Sequence, residues 1–68
     1  MKQIITRKTT GSEFMEILDQ YGKSFIEVSE KSGVSISTIR TVRINGFENA
    51  QSPTIYNLNA YFNSLEES

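Results

Sequence analysis

The stretch Ser24 to Gly46, SFIEVSEKSGVSISTIRTVRING, decides how the chain folds, because it reads as two short helices broken by a tight glycine turn. Ser24-Phe25-Ile26-Glu27 is a capping-box pattern: Ser24 accepts the Glu27 backbone N–H while the Glu27 side chain returns to the Ser24 amide, and a helix starts there. Along that helix Val28 faces a core, Ser29 is small enough for close helix approach, and Gly33 supplies positive φ past the last turn. Val34 plugs the turn. Ser35 is a good N-cap for the next helix, Ile36 to Arg43, in which Ile39 and Val42 stand three residues apart on one face. The opposite face, Ser37, Thr38, Arg40 and Thr41, is polar, short-chained and partly cationic, and it carries no acid.

On the N-terminal side, Thr10-Gly11-Ser12-Glu13 offers a second capping-box pattern, so Thr10 or Ser12 opens a helix that Gly22 ends. Phe14, Ile17, Leu18 and Tyr21 recur at the spacing of one buried stripe. Glu13 and Glu16 favour the helix dipole, which accounts for them structurally. On the C-terminal side, Ile44 to Gln51 reads as a loop anchored by Phe47. Ser52 then caps a last helix with Pro53 at its first position, and Ile55, Leu58, Phe62 and Leu65 form its core stripe. Tyr56, Ala60 and Tyr61 lie beside that stripe, as packing or as a homodimer contact, and Glu66, Glu67 and Ser68 make an acidic frayed tail. Met1 to Thr10 has β-branched residues but no helical cap or period, which leaves a short strand or an arm; Ile4 and Ile5 pack on the domain or pair with a second chain. The expected fold is all-α, a small bundle of four to five short helices containing a helix-turn-helix, with residues 1–11 as arm or strand and residues 12–66 as the domain.

Sixty-eight residues make one small domain, too small for an enzyme with a deep pocket. With no Cys and no His, disulfides, thiolate or imidazole metal sites and Cys/His catalysis are excluded. There is no nucleophile–base pair and no phosphate loop, so no enzyme, metal, cofactor or small-molecule ligand is expected. The chain has no apolar run of membrane-spanning length and no signal-peptide pattern, which leads to a cytoplasmic expectation and no membrane partner. Net charge is −1 and the pI about 5.3, against an indiscriminate nucleic-acid binder. The charge is uneven, however. Lys2, Arg7 and Lys8 stand together without acids, as do Lys31, Arg40 and Arg43, whereas Glu13, Glu16, Asp19, Glu27 and Glu30 lie between these two stretches.

The run from Val28 and Ser29 through Gly33 and Val34 to Ile39, Val42 and Asn45-Gly46, followed by Ser52-Pro53-Thr54 and Leu58, resembles the helix-turn-helix of the lambda-repressor and Cro-like family, the Xre-type regulators. The resemblance covers roughly residues 13 to 65. Ser32 departs from it, standing where the family usually has an apolar residue, and Asn45-Gly46 comes one residue later than in many members. It implies a lambda-repressor-like bundle that reads double-stranded DNA as a small phage or prophage repressor does. By the same resemblance, base-edge positions fall on Ile36, Ser37 and Thr41. Ile36 offers a surface for a thymine methyl and the two hydroxyls bond to several bases. Arg40 forks onto a guanine or clamps a phosphate, while Thr38, Arg43 and Asn45 position the backbone, and the helix N-terminus at Ser24 seats one phosphate. Few base contacts per domain imply two copies on half-sites about 34 Å apart, a homodimer at least on DNA. Because the chain ends about where the helices end, no separate ligand-sensing domain is expected.

Phe25 and Ile26 are unusual at the start of the second helix, where family members usually carry polar residues. They either close over the first helix or the N-terminal segment, or form an exposed patch for a partner protein. That pair and the acidic pI support an alternative function, a helix-turn-helix module that binds protein, such as an antirepressor or a regulatory subunit.

Overall fold

A computed structural model describes residues 2–67; Met1 and Ser68, which the sequence reading placed in the arm and the acidic tail, lie outside the described residues. Four helices account for the fold: α1 (Gly11–Tyr21), α2 (Phe25–Ser32), α3 (Ile36–Asn45) and α4 (Ser52–Glu67), with no strand among the described residues. Their starts follow from local chemistry. Thr10 and Glu13 make the full reciprocal capping box on α1, Ser24 accepts the Glu27 N–H on α2, and Ser35 accepts the Thr38 N–H on α3. The expected second half of the α2 box is not made. The Glu27 carboxylate instead meets Lys23 Nζ at 3.1 Å, a cation one helical turn away and a stronger partner than a neutral amide.

Gly33 ends α2 at φ 80°, the left-handed conformation that a Cβ disfavours, and its N–H bonds to Ser29. The chain then turns through Val34, which is buried, straight into α3. Ser32 takes a local role there: its hydroxyl accepts the Val34 N–H at 3.2 Å, which tightens the turn. Two boundaries differ from expectation. Helix α3 continues through Ile44 to Asn45, with Gly46 as its cap donating to Val42, so the loop is shorter than expected. At α4 the Gln51 carbonyl accepts the Ile55 N–H, which makes Gln51 the capping position; Ser52 opens the helix and its hydroxyl receives Arg7 Nη2 at 3.0 Å.

Helix α3 packs on α1 and α2, and α4 packs on α2. The core between them holds Ile5, Phe14, Leu18, Val28, Val34, Ile39, Val42, Phe47, Leu58, Tyr61 and Phe62. Phe47 meets Phe14 edge to face at 5.4 Å, which fixes the loop after α3, and Tyr21 stacks on Phe62 at 5.2 Å, which joins α1 to α4. The expected α4 stripe is present, but Ile55 and Leu65 are half-buried and Tyr61 belongs to the core. Burial pushes the Tyr61 phenol up from its ordinary pKa, with the Lys23 charge opposing and the Glu27 charge adding; its hydroxyl has no hydrogen-bond partner among the described residues. The tail is held as well. Glu66 accepts the Tyr21 hydroxyl at 2.7 Å and faces Lys2, so α4 continues to Glu67. At Gly11 a Cβ would stand 1.9 Å from the Arg43 carbonyl oxygen: only glycine lets α1 lie this close to the end of α3.

The N-terminal segment is neither a strand nor a loose arm. Residues 2–5 run along α4 as a strap, pinned through their backbone by two asparagines one turn apart. Asn59 Oδ1 accepts the Ile4 and Ile5 N–H groups, each at 2.7 Å, and Asn59 Nδ2 donates to the Ile5 carbonyl at 2.8 Å. Asn63 repeats the pattern on Lys2. Ile5 fills the core. The strap then turns through Thr6 and Thr9, and the Thr9 carbonyl accepts the Phe47 N–H, which ties it to the loop after α3.

Candidate nucleic-acid interface

Helix α3 carries its two buried residues, Ile39 and Val42, on the side that meets α1 and α2. With those positions anchored, the 3.6-residue period sends Ser37, Arg40, Thr41 and Ile44 outward, and all four are exposed. Ile36 and Thr38 are half-buried, while Ser24, Arg43 and Asn45 are exposed.

Four of the expected residues, Ser37, Thr38, Thr41 and Asn45, come together on one wall of a cleft of about 560 Å3. Asn49, Gln51 and Thr54, from the loop and the start of α4, form the other wall. Sequence reasoning missed that second wall. Its only local signal is the run of polar uncharged residues around Asn49 and Gln51, which a loop also explains. The cleft has no charged residue in its lining and offers amide and hydroxyl groups. Its loop wall is fastened from outside, because Arg7 donates to the Ala50 carbonyl and to Ser52.

Each hydroxyl has its own hydrogen-bonding state. Thr41 Oγ1 donates to the Ser37 carbonyl at 2.9 Å, so towards solvent it is an acceptor, suited to an amino group of adenine or cytosine. Thr38 Oγ1 lies 2.9 Å from Ser35 Oγ and belongs to the α3 cap. Ser37 Oγ has no partner among the described residues and is open to donate and accept.

The cations divide similarly. The two ion pairs among the described residues are Lys2 with Glu66 and Lys23 with Glu27, so neither Arg40 nor Arg43 is neutralised by a carboxylate. Arg40 extends without a partner among the described residues. The Arg43 guanidinium lies 5.7 Å from the centre of the Phe25 ring, on the far side of α3 from the cleft. Phe25 is half-buried against the core whereas Ile26 is 65 % exposed, so the two do not close as a pair over the first helix or the N-terminal segment. Ser24 stands exposed at the α2 N-terminus beside Phe25, its oxygen accepting Glu27 N–H and its own proton free. Ile36, being half-buried, offers only part of its surface to a ligand.

The described residues contain no group of three or more Asp or Glu placed to hold a metal ion, and no helix long and apolar enough to cross a membrane. Comparison of the chain with family models, with curated proteins and with solved structures found no match.

Proposed function

We propose that the chain is a sequence-specific double-stranded DNA-binding protein, a transcriptional regulator of the small repressor or Cro-like kind, that reads the major groove with residues about 36–43. The observation that carries the reading is the outward face of α3: Ser37, Arg40 and Thr41 exposed, two cations without carboxylate partners, and no acid in the helix. A ten-residue helix is about 15 Å long and fits a major groove about 12 Å wide. Ser37 and Thr41 take the base-edge role with Arg40. Arg43, Ser24 and the Asn45 end of α3 take the phosphate backbone. Short hydroxyl side chains discriminate modestly, so phosphates and DNA shape supply much of the affinity, and two copies on adjacent half-sites supply the rest.

The test is selection of bound sequences from a random duplex pool. Recovery of a repeated half-site at a spacing of about ten base pairs supports the reading, and enrichment of nothing over the input pool overturns it. One observation favours a protein-binding module instead: Ile26 and Ile44 are 65 % and 71 % exposed, more than a polar interface needs.

A further inference from the structure

Resting on the DNA-binding reading, we infer that Phe25 is a positioning residue, whose ring holds the Arg43 guanidinium as a pre-oriented, un-neutralised phosphate contact. An aromatic residue at the opening of a helix next to DNA has no evident use by itself. The structure gives it one, because the guanidinium sits over its face at 5.7 Å.

The three arginines show what this arrangement achieves. Two donors of the Arg7 fork are committed to the Ala50 carbonyl and Ser52, so it is held with fewer donors free. Arg40 is available but unheld. Arg43 is both held and available: its charge is drawn to the ring face, none of its side-chain N–H donors is committed among the described residues, and no carboxylate cancels the charge. Its backbone is fixed too, by the close approach of Gly11 to the Arg43 carbonyl. Phe25 is itself anchored, half-buried against the core, so the ring is a firm platform. A planar fork so presented matches the bidentate geometry of a phosphate, and the rotamer freedom of a long side chain is reduced before binding.

The experiment measures binding to a random-sequence DNA duplex, in low salt and across a salt series, for the whole chain, four single variants and one double variant, all checked by circular dichroism. Arg43→Ala weakens binding and makes the salt slope shallower by about 0.9, one phosphate contact. Phe25→Leu, which keeps apolar bulk but has no ring, weakens binding about two- to five-fold, the range of an exposed cation–π contact, and Phe25→Trp restores it. Arg43→Lys, an exposed and fold-neutral change, loses affinity although the charge is kept, because ammonium lacks the planar fork. The reading of Phe25 as a positioning residue further requires that Phe25→Leu adds no loss in the Arg43→Ala background; an equal loss in both backgrounds, or full affinity for Arg43→Lys, overturns it while leaving DNA binding intact. Absence of wild-type binding overturns the DNA reading and this inference together.

Discussion

Replacing Asn59 by alanine removes the groups that hold the strap to α4. Asn59 is 3 % exposed and makes three hydrogen bonds to Ile4 and Ile5, all between 2.7 and 2.8 Å. At about 1 kcal/mol net for each bond the loss is about 3 kcal/mol. The strap has one way to avoid leaving the Ile5 amide and carbonyl unpaired in the interior, which is to detach. Detachment adds the cost of drawing the fully buried Ile5 side chain out of the core, at about 1.5–3 kcal/mol, and regains the conformational freedom of the strap, which offsets that addition, so the loss stays near about 3 kcal/mol. For a domain of this size the whole stability is about 3–10 kcal/mol, and each kcal/mol shifts Tm by about 4–8 °C. Asn59→Ala is therefore expected to lower Tm by about 12–24 °C in a thermal melt followed by circular dichroism. Asn63→Ala, whose bonds to Lys2 are solvent-exposed, should cost under about 1 kcal/mol. A fall of less than about 4 °C for Asn59→Ala, or equal falls for both variants, would refute the strap as a structural element.

Gly11→Ala is expected to destabilise by about 1–3 kcal/mol or more in urea unfolding, although alanine favours helices, because its Cβ would meet the Arg43 carbonyl; a neutral or stabilising result would contradict the close α1–α3 contact. Ile39→Ala, deleting a fully buried side chain, should lose about 2–5 kcal/mol, whereas Arg40→Ala should melt like the parent and affect only binding to a selected duplex. Tyr21 and Tyr61 both contribute to the pH dependence at the alkaline end, and Tyr21, at the surface, is the one to test. Burial first, and then its hydrogen bond to the Glu66 carboxylate and that residue's charge, raise its pKa above 10.0, so the folded state holds the proton longer than the unfolded chain. The contribution is complete below about pH 10 and is lost as pH rises through the folded value; Tyr21→Phe should show a smaller alkaline fall in Tm than the parent.

The helices were legible because their signals are local. The Thr10–Glu13 box, the Ser35 cap and the positive-φ glycines each depend on residues within a few positions, and the buried members of each stripe follow from one helical period. Packing of Ile4 and Ile5 on the domain was one of the alternatives read from the sequence, but the hydrogen bonds of the strap were not legible, since they join residues 54 and 55 positions apart and read backbone rather than side-chain identity. A trace of it was present: Asn59 stands four residues after Ile55 and three before Phe62, a polar residue within an apolar stripe, which calls for a buried partner. The α2 capping box failed at Glu27 because Lys23 offers it a full charge, a competition that a pattern for one helix omits. At the site, α3 supplied the expected exposed residues Ser37, Arg40 and Thr41, but the loop wall with Asn49 and Gln51 arises from how Phe47 and Arg7 fold that loop back. Phe25 and Ile26 part company for a helical reason: neighbours in sequence point about 100° apart, so one meets the core and Arg43 and the other meets solvent.

A salt titration of the folded protein on random-sequence duplex DNA decides whether α3 engages DNA. An un-neutralised face on α3 predicts detectable binding at low salt and a log–log slope of about −0.9 for every phosphate engaged. A protein that melts cooperatively yet shows no binding at the lowest salt, or a salt-independent affinity, would contradict it.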